Sequence, residues 1–455
     1  MRPARRVWII SLSALVLYLL DSLIRHARFN TGYDLTIFDQ AIDDYAHLRA
    51  PDVLIKSQQP FNILGDHFHP ILVLLAPFYR LWPDARLLLI AQALLVAIGV
   101  HVVSRLAVRR LGGLGYFVGA AFALGWGILQ AVDFDFHEIA FAVPLLALAL
   151  EALLAGRYTR VVVCAGLLVL VKEDSPLLVI GIALVLAVQR KYRQAALLGA
   201  FGLISFGLIV FVVIPHFSYS HTYTYFAYAG RSGGIGGLVG SAFGTVFSLR
   251  GLTFLGALAL TSGLGLRSPL ILALLPTLGA RLVSNNYAYT GFLYHYNATL
   301  MVICFAALVD GISRQRAGAD RARGWLRWQT VLLAGVVAVG VARSPTVPSI
   351  AAVVTDCPRC TSAAVAVADI PDGARVAADV FLMPHLVDRA QVMQAYPGFV
   401  DSTGLPLRAD WVILDLDSTS YTPGWSRTLL DSLLASGRFT TFAHPGRYVV
   451  LEARP

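Results

Sequence analysis

Apolar runs recur along the whole chain from Val7 to Val341, and no other feature restricts its fold as much. Crossing a hydrocarbon core takes about 20 apolar residues in a helix, and most of these runs come close to or reach that length. Only 14% of the 455 residues are charged, against about 25% in a soluble domain, and the mean hydropathy is +0.68. A soluble core has no use for so many apolar helices. The expected fold is mainly α: a polytopic transmembrane bundle of roughly ten segments, followed by a small C-terminal α/β domain.

The formal charge of +9 raises the question of nucleic acid, but the distribution argues against it. Arg2, Arg5 and Arg6 precede the first run, and Arg105, Arg109 and Arg110 follow a later one. Arg157 and Arg160, then Arg190, Lys191 and Arg193, then Arg314, Arg316, Arg321, Arg323 and Arg327 occupy short connections. Basic residues kept in short cytoplasmic loops produce this pattern. No nucleic-acid partner is expected. The expected setting is an inner (plasma) membrane, with a cytoplasmic N-terminus and an extracytoplasmic C-terminal domain.

The run 7–20 has the basic start of a signal peptide but no obvious small-residue cleavage site before Asp21, so it reads as a retained first helix. A membrane domain is expected over 1–343, with external loops at 25–70 and 215–250. The second loop carries Tyr219, Tyr223, Tyr225 and Tyr228, then a Gly-rich stretch expected to be flexible. The apolar stretch 71–82 reads as a helix at or dipping into the interface, because counting it as a span would put Arg105, Arg109 and Arg110 outside. A single span is expected over 114–131. Runs 161–171 and 177–188 read as two thin helices joined by Lys172, Glu173 and Asp174 at the outer side.

The tail, 344–455, reads as a soluble extracytoplasmic α/β domain, with strands at 374–378, 411–415 and 447–451 and a helix at 429–436. It has no Gly-rich phosphate loop and no nucleophile elbow. Cys357 and Cys360 cannot make a four-cysteine zinc site on their own, and a local disulfide suits an oxidising compartment. No internal repeat is visible.

In this topology the ionisable residues collect on the external side, where intramembrane charge usually marks a site or a wet cavity. Asp34 and Asp39 are five apart and do not share a helical face well. If a helix begins near Phe38, Asp39 sits in its first turn and is placed to take a proton from an acceptor hydroxyl; the plain alternative is a cap or a solvated loop acid. Asp66, His67 and His69 form a polar knot whose two histidines alternate as in a strand. They suit a metal, a substrate phosphate or hydroxyl, or simple loop capping. The residues fix no cofactor, and the knot leaves room for a divalent cation. Asp133 and Asp135 alternate with Phe134 and Phe136 ahead of His137 and Glu138, so acids and rings should face opposite ways. Lys172, with Glu173 and Asp174, either holds a phosphate as a point charge or closes an internal ion pair with one of those two acids.

These pieces resemble a known group. A helix, an outer loop with an acid (Phe38-Asp39-Gln40), a His-Pro before a short apolar stretch (His69-Pro70-Ile71-Leu72) and a basic-ended helix resemble the GT-C glycosyltransferase superfamily. More closely, the chain is similar to an uncharacterised bacterial family of predicted membrane proteins. The similarity runs through Tyr33-Asp34-Leu35, Ile37-Phe38-Asp39-Gln40, Gly65-Asp66-His67-Phe68, His69-Pro70, Phe136-His137-Glu138 and Val171-Lys172-Glu173-Asp174. In the tail it takes in Ala377-Ala378-Asp379, Pro384-His385-Leu386 and 409–415. The chain departs from the superfamily in having Gln40 where an acidic pair is usual, and His69-Pro70-Ile71 where a double proline is usual.

The resemblance implies a transferase that takes a sugar from a polyprenyl-phosphate donor in the membrane lipid. It delivers that sugar, with inversion, to an external glycan, lipid or protein acceptor. By position Asp39 is then the base, with Asp34 as the alternative. Asp66, His67, His69, His137, Glu138, Lys172, Glu173 and Asp174 become substrate-binding candidates, and the external domain positions the acceptor. Two other readings fit the same residues: a transporter or flippase for a lipid-linked or small polar substrate, and a non-catalytic envelope-assembly protein.

Overall fold

A computed structural model describes residues 3–228, 234–316 and 321–454. Arg2, the first part of the Gly-rich stretch (229–233) and the middle of the last basic connection (317–320) lie outside the described residues, as do the side chains of Arg5, Arg316, Arg321 and Arg323. The chain forms two compact units. One is built from the residues up to Leu20, Asp66–Ile71 and Gln92–Pro348; the other from Asp21–Gly65, Leu72–Ala91 and the chain from Ser349 on.

Among the described residues seven helices are long and apolar enough to cross a membrane: Arg6–Ala27, Ala85–Leu111, Leu114–Asp133, Tyr192–Phe217, Leu249–Arg267, His295–Gln315 and Leu326–Arg343. Six shorter apolar helices accompany them, including Ile139–Leu154, Tyr158–Leu168 and Ser175–Val188. The helix Ala298–Arg316 forms the centre of the first unit, with every residue from Leu300 to Val309 at most 1% exposed. Its close neighbours are admitted by glycine. A Cβ on Gly311 would lie 2.2 Å from the Leu264 carbonyl oxygen, and one on Gly265 would lie 2.5 Å from the Leu308 nitrogen. Packing of apolar helices in lipid relies on such small residues.

Several elements differ from expectation. The span expected over 114–131 is two helices, Leu114–Ala123 and Trp126–Asp133, separated at Gly125, whose backbone is extended. The Gly-rich stretch is not a loop beyond residue 233: Gly234–Val246 is a helix. The stretch expected at the interface is a short helix, Pro70–Leu81, whose first half is 3-10. The thin pair Tyr158–Leu168 and Ser175–Val188 is present and breaks where the charges stand.

The second unit contains a five-stranded sheet of order β2-β1-β3-β5-β4, with β1 Arg375–Ala378, β2 Gln391–Gln394, β3 Trp411–Asp415, β4 Phe439–Ala443 and β5 Tyr448–Ala453. Strand β1 pairs in parallel with β2 and β3; β5 is antiparallel to both β3 and β4. One face is covered by the helix Trp425–Ala435 through Leu429 and Leu433. The other carries the helix Pro358–Ala368 and, from the first loop, Phe29, Ile37, Ala41, Val53, Ile55 and Ile63. Much of the stretch expected as an external loop of the membrane domain is thus a covering layer of this sheet. Cys357 and Cys360 are joined as a disulfide.

Candidate functional site

The first unit gathers charge around the break between the two thin helices. Lys172, Glu173 and Asp174 interrupt an apolar run, so their charges need partners brought by other loops. The segment Asp66–Ile71 is held there by the Ile71 amide, which donates to the Leu170 carbonyl at 3.1 Å. The loop before the helix Ile139–Leu154 is held by Gln92, whose amide donates to the Asp135 carbonyl at 2.8 Å and accepts from the His137 amide at 3.0 Å.

Two ion pairs result. The Lys172 ammonium donates to Glu138 Oε1 at 2.7 Å, with side chains 11% and 1% exposed. His67 Nδ1 donates to Glu173 Oε1 at 2.7 Å, and the Phe68 amide donates to the other carboxylate oxygen at 3.2 Å. The expected internal pairing of Lys172 with Glu173 or Asp174 is therefore corrected: its partner stands 34 residues away on another loop. Burial alone would lift the Glu138 carboxyl, but Lys172, with His137 and His69, pulls it down to about 2. Burial works against a charged Lys172 as well, and Glu138, Glu173 and Asp174 overcome it and hold the ammonium well above its usual range. Against the same penalty, Glu173 raises His67 and is itself lowered by it. Burial raises Asp174, more than Lys172 lowers it. Burial also keeps His69 near 4 and His137 near 3, so both are neutral imidazoles.

Aromatic residues wall this cluster. Tyr223 donates to Glu173 at 3.3 Å and Tyr225 to Asp66 at 3.1 Å, while the Tyr225 ring stacks on His67 at 4.5 Å. His137 stacks on His295 at 3.6 Å. A cavity of about 170 Å³ opens among Lys172, Glu173, Asp174, Tyr223, Tyr225, Arg281, Tyr289 and His295. Arg281 is 8% exposed and donates to the Asn297 side-chain oxygen at 3.0 Å and to the Tyr296 carbonyl. Both of these acceptors are neutral.

The structure thus brings Asp66, His67, His69, His137, Glu138, Lys172, Glu173 and Asp174 into one neighbourhood of the first unit. Asp133 and Asp135 are 7% and 6% exposed and Phe136 is fully buried, so the acids do not stand in open solvent. Asp66, His67 and His69 are not assembled around a metal position. His67 is bound to Glu173, Asp66 to Tyr225, and among the described residues no three His, Cys, Asp or Glu side chains are grouped to hold an ion. Arg281 and Tyr289 are not among the residues expected to form the site. The available signal was an arginine inside the apolar run 269–283.

Asp34 and Asp39 belong to the second unit. Their helix runs Tyr33–Ala46, so the first-turn acid is Asp34, and Asp39 lies a turn further in than expected. Asp39 is fully buried. Among the described residues neither carboxylate oxygen has a hydrogen bond of good geometry, and the same holds for the Tyr79 hydroxyl, which lies beside it and acts on it. Burial pushes this carboxyl well above the usual range, against the influence of Tyr79. Gln40 is structural: its amide donates to the Val392 carbonyl at 2.8 Å and accepts from the Ile55 amide at 3.1 Å.

A multi-pass bundle with these broken helices and a small mixed sheet has the GT-C fold. Two crystal structures of ArnT from Cupriavidus metallidurans share it. The one bound to undecaprenyl phosphate has a TM-score of 0.53 at 13% identity, and the apo state 0.56 at 15%, each over 99% of both chains. The chain itself belongs to the family described as "Predicted membrane protein (DUF2079)", whose model matches residues 25–450. No curated protein matches it.

Proposed function

We propose that this protein is a membrane glycosyltransferase that moves a sugar from a polyprenyl-phosphate donor to an acceptor outside the cytoplasm. Arg281 carries this reading. A buried guanidinium is expensive unless it meets an anion; this one faces a cavity, its two hydrogen bonds go to neutral oxygens, and the Asp174 carboxyl that acts on it through space is itself pushed up by burial. A phosphate diester or leaving phosphate supplies the missing charge in the planar, two-point form that guanidinium prefers. Lys172 lines the same cavity, with its charge engaged by Glu138. The fold is shared end to end with a protein crystallised with undecaprenyl phosphate.

In the reaction the acceptor hydroxyl gives its proton to a carboxylate, its oxygen bonds to the anomeric carbon, and the carbon–oxygen bond to phosphate breaks. Asp39 is the base. Desolvation raises its proton affinity well above the usual carboxylate range, which makes the ionised form a stronger base. An inner-membrane location with the C-terminal domain outside is supported by the short basic connections and by the Cys357–Cys360 disulfide.

Reconstituted protein supplied with radiolabelled polyprenyl-phosphate sugars and a membrane extract tests the reading. Wild type transfers label to a larger product, and Arg281→Met or Asp39→Asn does not. Equal movement of the labelled lipid across vesicles by wild type and Asp39→Asn, without product, would mean transport instead.

A further inference from the structure

The motifs ending in Asp379 and Asp415 play no part in the chemistry above, yet they meet at one edge of the sheet. Strands β1, β2 and β3 are parallel, and Ala378 is in register with both Gln394 and Ile413. Asp379, Gln394 and Asp415 therefore all stand at the carboxyl ends of the strands. The chain leaves β1 toward β2 on one side and returns to β3 on the other, so this edge is a topological switch point. In open α/β sheets, ligands enter the crevice at such a point.

The polar groups there are incompletely used. Asp379 is 1% exposed and Gln394 6%. Asp379 Oδ1 accepts from the Phe381 amide at 3.5 Å and the Ser418 side chain acts on the same carboxyl; Asp379 Oδ2 and Gln394 Oε1 have no hydrogen-bond partner of good geometry among the described residues, although buried polar atoms are nearly always paired. Asp415 is different: Arg447 holds both of its oxygens, each at 2.5 Å. That pairing spends the guanidinium and leaves no charge for an anion. Beside these groups lies an aromatic patch. Gln394 donates to the Tyr421 hydroxyl at 2.6 Å, and the half-buried Tyr421 and Tyr396 rings lie 5.6 Å apart.

We propose that this edge of the soluble domain binds a neutral saccharide, with Asp379 and Gln394 accepting hydrogen bonds from sugar hydroxyls and Tyr421 and Tyr396 packing against the C–H face. A carboxyl, an amide and tyrosine rings supply the mixed polar and apolar surface that a pyranose offers. Naming that saccharide as part of the acceptor rests on the transferase reading; the binding site does not.

The test uses full-length protein in lipid nanodiscs and saturation-transfer difference NMR. The probes are neutral mono- to tetrasaccharides of hexoses, pentoses and N-acetylhexosamines. Wild type transfers saturation to at least one of them. Asp379→Asn weakens that binding by about tenfold, the worth of one buried hydrogen bond, and Tyr421→Ala does the same by removing the ring, which keeps the test alive if one variant misfolds. No binding across the panel, or binding unchanged in folded Asp379→Asn and Tyr421→Ala, overturns the site. Saccharide binding by a wild-type protein that transfers no sugar removes the transferase reading and leaves the site standing.

Discussion

The Lys172 ammonium and the Glu138 carboxylate meet at 2.7 Å in a setting that leaves the acid 1% exposed. Removing one partner of a buried pair strands the other charge, which costs about 3–5 kcal/mol. Lys172→Met should lower thermal stability by that order. Lys172→Met with Glu138→Gln should recover most of it, because no uncompensated charge remains. Unfolding in detergent, followed by tryptophan fluorescence, measures both.

The second pair gives a pH dependence. His67 is raised in the folded protein by Glu173, so its stabilisation is complete below the ordinary value of 6.5 and fades as pH rises through the raised value. Glu173 is lowered, so its share is complete above 4.5 and is lost as pH falls through the depressed value. The pair should contribute most between 4.5 and 6.5. His69 and His137 act the opposite way: burial lowers both, so stability is lost as pH falls below 6.5 toward 4 and 3. The His67 contribution is therefore read as a difference. The gap between wild type and His67→Gln should be widest near pH 5.5 and should narrow on the alkaline side. A gap that widens with rising pH contradicts the assignment.

Gly181 tests the packing of the thin helices. A Cβ there would stand 2.3 Å from the Ala273 carbonyl oxygen, which is backbone and cannot swing aside. Gly181→Ala should destabilise by about 1–3 kcal/mol, the usual cost of overpacking. Gly199→Ala, whose new methyl would meet only the Ala183 Cβ at 3.6 Å, should be neutral or gain up to about 1 kcal/mol of helix propensity. Melting temperatures of the two variants in the same detergent decide this.

What the sequence revealed follows from contrast in polarity. The break at Lys172–Asp174 is visible because three charges interrupt an apolar run. β3 is visible because Trp411–Asp415 is nearly all apolar, which fits a strand buried on both faces. β2 is only four residues long and carries glutamine at both ends. β4 shows mostly its exposed side. Neither stands out from the neighbouring polar sequence. The helix holding Asp39 starts after Gly32 with no side-chain cap, so the usual start signal is missing and the sequence pattern points to a later beginning. The Lys172–Glu138 contact and the use of residues 29–63 to cover the sheet depend on long-range packing, on which local pattern is silent. Arg281 interrupts an apolar run, but its two acceptors, Asn297 and a backbone carbonyl, are not ones that pairing by charge suggests.

Asp39 separates a catalytic acid from a structural one. A structural aspartate is held by hydrogen bonds, and losing it weakens the fold. Asp39 has none of good geometry, and burial raises its carboxyl well above 3.8. An acid raised in the folded state favours folding least at high pH: its penalty is absent below 3.8 and grows as pH rises toward the raised value. Asp39→Asn removes that penalty, so the variant should melt at a higher temperature than wild type at pH 7–8, and the difference should vanish near pH 4. Sugar transfer should fall by about 10²–10⁴, the usual worth of a general base. Greater stability with lost transfer is the pattern of a residue kept for chemistry at the expense of the fold. A variant that melts lower than wild type at pH 8, or one that keeps full transfer, would remove Asp39 from the mechanism.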